Sequence, residues 1–105
     1  MLDTTPLIIA VDRFADRLRA APQSRLQRGA AAEGLAVARQ LTVRAQRIEA
    51  PGREPRTMPD AGIFAIGDQL AVAGRDLAVA LEMAPPAELD EAVRFVDEAA
   101  ARAFA

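Results

Sequence analysis

Residues 59–83, PDAGIFAIGDQLAVAGRDLAVALEM, decide the fold. Read as a helix, they repeat every seven residues. Ile63, Leu70 and Leu77 fall on one line, and Ile66, Ala73 and Ala80 fall on the next. Gly67, Gly74 and Leu81 lie beside that seam. The opposite flank is also apolar, through Phe64, Ala71 and Ala78 and through Ala65, Val72 and Val79. Only a narrow strip is polar: Asp68, Arg75 and Glu82, with Gln69 and Asp76 beside it. A helix apolar over most of its circumference must be covered on several sides. This stretch is therefore expected at the centre of an all-α bundle.

The flanking sequence supplies three more helices. Thr5-Pro6 opens the first, with Thr5 as a cap and Pro6 in the first turn, where its missing N–H costs nothing. Leu7, Val11, Phe14 and Leu18 then recur at helical spacing, and Pro22 ends the run. Ser24-Arg25-Leu26-Gln27 fits a capping box for a second helix with the stripe Ala30, Gly34, Val37, Leu41, Ala45 and Ile48. Gly29 and Gly34 weaken that helix, which suggests close backbone approach there. PGREPRTMP, residues 51–59, is the one clear loop. Thr57 to Asp60 resembles a further cap. Pro85-Pro86 starts the fourth helix, with Glu88 in its first turn and the stripe Leu89, Val93, Val96, Ala100 and Phe104. Asp90 with Arg94 and Glu98 with Arg102 are spaced for ion pairs within it.

The expected architecture is one domain, 1–105, an antiparallel bundle of four helices at about 6–20, 24–50, 59–84 and 86–104. Helices 2 and 3 form its long central hairpin. At 1.5 Å per residue the inner pair would be about 40 Å long and the outer pair about 22–28 Å. Short connections favour antiparallel neighbours, so helix 1 would lie along helix 2, and helix 4 along helix 3. The rest of the hairpin would be a two-helix arm carrying Leu41, Ile48, Met58, Ile63, Phe64 and Ile66. Two helices alone cannot bury these residues. An uncovered apolar patch marks a partner surface, and a homodimer through the 41–66 arm is expected. Two other outcomes stay open: the outer helices cover the arm, or a heterologous protein does.

Composition narrows the chemistry. Leu, Ile, Val and Phe are enough for one core, but the abundance of alanine makes that core thin and draws the helices together. Cysteine, histidine, lysine, tyrosine and tryptophan are absent. Most nucleophile and base arrangements cannot be built without them. Ser24, the only serine, is better explained as a cap. The remaining enzymatic option is a carboxylate-bound divalent ion, for which Glu33, Asp68 and Asp76 are weak candidates. Without an ion, Asp68 or Asp76 should pair with an arginine of helix 2. No cofactor is called for. Gly67 and Gly74 are mid-helix and fit close packing rather than a phosphate loop.

All 13 basic residues are arginine, a bias that GC-rich coding produces. Residues 13–56 carry a balance of +6 and residues 57–105 a balance of −6. Opposed halves help helices pair and could steer a partner. Arg39, Arg44, Arg47, Arg53 and Arg56 form a possible basic partner face. Nucleic acid is disfavoured there: the pI is about 5.1, no aromatic side chain stands near to stack a base, and no helix-turn-helix spacing occurs. No apolar run approaches the roughly 20 residues of a membrane span, and no secretion signal is visible. A cytoplasmic location is expected. Taken together, these features suggest a non-catalytic helical interaction or oligomerisation module. A metal- or small-ligand-binding bundle enzyme, or a nucleic-acid regulator using helix 2, remain the alternatives.

Overall fold

The computed structural model describes residues 1–105 as an all-α bundle of four packed helices. They are α1 (Thr5–Ala20), α2 (Ala31–Glu49), α3 (Ile66–Ala80) and α4 (Pro86–Ala103). A short helical turn, Gln23–Arg25, and the segment Leu26–Ala30, kinked at Gly29, lead into α2. A 3-10 turn, Leu81–Met83, extends α3.

The local signals act unevenly. Pro6 and Pro86 sit in the first turns of α1 and α4, where no donor is lost. The expected hydroxyl caps do not form. Asp3 Oδ1 instead accepts the Thr5 backbone N–H at 3.0 Å, and Pro22, not Ser24, precedes the turn leading to α2. The expected continuous helix 24–50 is interrupted at Gly29, which has φ 142°. A Cβ there would meet nothing within 4 Å. Gly29 is therefore required by its dihedral and not by a close neighbour. Gly34 does mark close approach, since an added Cβ would lie 2.6 Å from Ile66 Cγ2 and 2.8 Å from Leu18 Cδ1.

The expected hairpin is replaced by a crossover. Helix α3 begins at Ile66, not at residue 59, because Gly62 has φ 93° and its N–H is bound by Asp60 Oδ1 at 2.8 Å. The connection after Glu49 therefore runs to Ala65, and it turns back along α2. Gln46 grips it by donating to Arg56 O (3.0 Å) and accepting from Arg56 N (2.8 Å). Arg39 Nε donates to Met58 O at 2.9 Å, and Gln69 Nε2 to Pro59 O at 2.9 Å. From Gln46 to Arg39 the contacts move nearer the start of α2. Helix α3 consequently starts where α2 starts, with Ile66 against Gly34. At the other end Arg44, Arg47 and Ile48 share a hollow with Leu77 and Leu81. α2 and α3 are parallel.

The other directions follow from side-chain pairs. Val11 meets Gly74 and Ala15 meets Gly67, so α1 is antiparallel to α3. Glu33 binds Arg102 and Arg44 faces Glu91, so α4 is antiparallel to α2. The chain runs up, down, down, up, with one long crossover. Around the bundle the order is α1, α3, α2, α4, and consecutive helices α1/α2 and α3/α4 are diagonal. Helix 1 thus packs along helix 3 rather than helix 2, and helix 4 packs on helices 1 and 2. The expected two-helix arm does not exist, because the crossover returns beside the bundle.

The core follows the stripes read from sequence except at Ile48, which is exposed, and in α4, where Ala92 and Ala99 are buried and Val93, Ala100 and Phe104 only half-buried. Leu7, Val11, Phe14 and Leu18 of α1 meet Val37 and Leu41 of α2, Leu70 and Leu77 of α3, and Leu89 and Val96 of α4 in one buried cluster. Alanine and glycine at the crossings let the helices approach closely, which gives small side chains useful contact. The crossover is held by Gln46, Arg39 and Gln69 and by Met58 and Ile63, which pack against the core. Gln46→Ala removes both bonds to Arg56 and is expected to cost about 1 kcal/mol. Trypsin should then cut after Arg53 or Arg56 several-fold faster. Unchanged cleavage would show that Gln46 does not hold the segment.

Candidate functional site

Helix α3 buries Ile66, Gly67, Leu70, Ala73, Gly74, Leu77 and Ala78 between α1 and α2. Nothing covers its outer face. Four large apolar side chains stand out on or beside the helix: Phe64 (74% exposed), Val72 (59%), Val79 (63%) and Met83 (84%). Val72 and Val79 are seven residues apart and so lie on one line of the helix, with Met83 close to that line one turn on. Val72, Val79 and Met83 share one side of α3 and its 3-10 extension as a ridge, and Phe64 stands in the turn just before the helix.

Ion pairs to α1 fix one flank of the ridge. Arg75 binds Asp12 through two bonds, Nη1 to Oδ1 at 2.9 Å and Nη2 to Oδ2 at 3.0 Å. The Arg75 guanidinium holds the Asp12 carboxyl below the usual carboxylate range. Arg19 donates to Asp68 through Nε (3.1 Å) and Nη2 (2.7 Å), and to Asp16 through Nη1 (3.1 Å). These bonds, those to Asp68 first, raise the Arg19 pKa. Asp76, on the other flank, has no ion-pair partner.

The residues expected to form the arm are dispersed. Leu41 and Ile66 are buried in the core of the monomer, and Met58 and Ile63 are half-buried against it. Ile48 and Phe64 remain exposed. The five arginines expected on one basic face also separate. Arg39 holds the crossover, and Arg44 lies 4.6 Å over the Phe95 ring and 3.5 Å from Glu91. Arg47, Arg53 and Arg56 are exposed, the last two beside Glu49 and Glu54.

The three acids proposed for an ion lie apart, and no three carboxylates converge anywhere. Glu33 Oε1 accepts Arg102 Nη2 at 2.8 Å and Nε at 3.2 Å, while Asp68 is held by Arg19. Arginine pairing is the expected alternative for Asp68 or Asp76, and it is found at Asp68. For Asp68 the partner comes from α1 rather than helix 2, because α1 is the helix that packs beside it. The close-packing account of Gly67 and Gly74 fits the structure. An added Cβ would lie 2.8 Å from Arg19 Cγ at Gly67 and 2.5 Å from Val11 Cγ1 at Gly74.

A second feature lies at the end of the bundle where α1 turns into α2. A groove of about 430 Å³ is lined by Arg25, Arg28, Gly29, Ala30, Glu33 and Arg102, with the last residues of the chain. Sequence reading did not single out Arg25, Arg28 and Arg102 as a site. The only linear signal is the Arg-Gly step at 28–29, and nothing in the sequence ties Arg102 to it. Comparison with family models, curated proteins and solved structures finds no match to this chain. No helix is long and apolar enough to cross a membrane.

Proposed function

We propose that this protein is a non-catalytic helical interaction module that pairs with a second copy of itself through the outer face of α3. The observation that carries this is that four of the seven exposed large hydrophobic side chains, Phe64, Val72, Val79 and Met83, lie on or beside α3. Burying them removes apolar area from water, at about 25 cal/mol per Å². In a parallel two-fold pair Val72 and Val79, seven residues apart on one line of α3, each meet their own copy. The symmetry also closes the assembly at two copies.

The chain contains no cysteine, so single introduced cysteines report pairing directly. In the parallel alignment every ridge residue faces its own copy. Val79→Cys and Val72→Cys should each form a disulfide-linked dimer under mild oxidation, and Glu98→Cys, exposed on α4, should not. Equal yields at all three positions, or none, would contradict pairing through this ridge.

A further inference from the structure

The groove at the α1/α2 end carries an excess of cations that the bundle does not use. Arg25 and Arg28 have no carboxylate partner. Arg102 is oriented by Glu33, which accepts both Nε and Nη2 on one oxygen and leaves Nη1 free to face a ligand. Glu33 is the only acidic side chain in the lining. Ala105 also lines the groove and brings the terminal carboxylate of the 105-residue chain, so three guanidiniums face two carboxylates. A neighbouring hollow shares Arg25 and Arg28 and extends the positive surface to Arg17 and Phe104, and the excess reaches two charges only with this Arg17. Arg17 is held 4.1 Å over the Phe104 ring, also without a carboxylate. Arg28 directly precedes Gly29, whose reversed dihedral interrupts the helix at the groove wall.

We propose that this groove binds a small molecule carrying phosphate. A phosphate monoester offers about two negative charges and three acceptor oxygens, which match the excess charge and the forked donors. A single carboxylate would satisfy only half of that charge. The volume of about 430 Å³ lies within the range of small-ligand sites. The site is separate from the α3 ridge and does not depend on pairing of two copies.

The test uses inorganic pyrophosphate as the probe, with the full chain followed by calorimetry and thermal melting. Sodium sulfate and sodium chloride at equal ionic strength serve as controls. Pyrophosphate should bind saturably and raise the melting temperature beyond either salt. Arg25→Gln/Arg28→Gln, both at the surface, should weaken binding by about tenfold or more. Arg53→Gln/Arg56→Gln removes the same charge from the far end of α2 and should leave binding unchanged. Equal loss in both double variants would reduce the effect to general charge and overturn the site. So would a pyrophosphate response no larger than that of sulfate. Tighter binding of a random single-stranded oligonucleotide, weakened equally by both variants, would point to a nucleic-acid surface and also overturn it.

Discussion

Phe14→Ala should destabilise the bundle by about 3–5 kcal/mol, the largest loss expected from any single truncation here. Phe14 is buried in the core on α1, and its ring meets Phe104 edge-on at 6.2 Å and 82°. That contact adds about 0.5–1.5 kcal/mol beyond the buried area. It also supports the ring on which Arg17 is stacked. Ten of the 24 core residues are alanine, too short to reach into the gap. A domain of this size loses about 4–8 °C in Tm per kcal/mol, so the variant should melt at least about 12 °C lower. Urea unfolding gives the free energy directly. A loss under about 1 kcal/mol would show that the α1–α4 contact is not part of the cooperative core.

Gly74→Ala should also destabilise, by about 1–3 kcal/mol, although alanine favours helix over glycine by about 1 kcal/mol. The new Cβ would lie 2.5 Å from Val11 Cγ1 and 2.9 Å from both Cβ and Cγ2. Val11 is fully buried and β-branched, with one strongly preferred rotamer in a helix, so it cannot swing away. The helices α1 and α3 would have to separate. Relief of that clash is measurable: Val11→Ala/Gly74→Ala should be more stable than the sum of the single changes. Gly67→Ala should be milder, because the closest obstacle is the flexible Arg19 side chain, although Ala15 O lies at 3.1 Å. A stabilised Gly74→Ala would mean that α1 and α3 do not cross as closely as described.

Much of the fold is legible in the sequence where the signal is local. The α1 stripe of Leu7, Val11, Phe14 and Leu18 and the Pro86 start of α4 both report one helix and its buried face. The start of α3 is less legible, for a physical reason. Ile63 continues the seven-residue repeat and still packs inward, yet it precedes the helix, because Gly62 reverses the backbone. The repeat records burial, and burial persists through a turn that no longer has helical hydrogen bonds. Seven residues moved from helix to connection let the chain cross back, which reverses α3. That reversal removes the arm, buries Leu41 and Ile66, and gives Asp68 an α1 partner. The ridge was partly legible, since Phe64, Val72 and Val79 mark an apolar flank. Which flank of an all-round apolar helix stays open depends on packing order, and no local pattern encodes it. The groove joins Arg25 and Arg28 to Arg102, so it exists only once α4 returns beside the start of α2.

The most direct test of pairing through α3 is absolute mass in solution, by light scattering across a wide concentration range. The wild type should give twice the chain mass of 11.2 kDa. Val72→Asp/Val79→Asp should give 11.2 kDa with its helical circular dichroism intact, because both side chains project away from the core. A wild type that stays at 11.2 kDa at the highest concentration, or a dimer that survives both aspartates, would contradict the account.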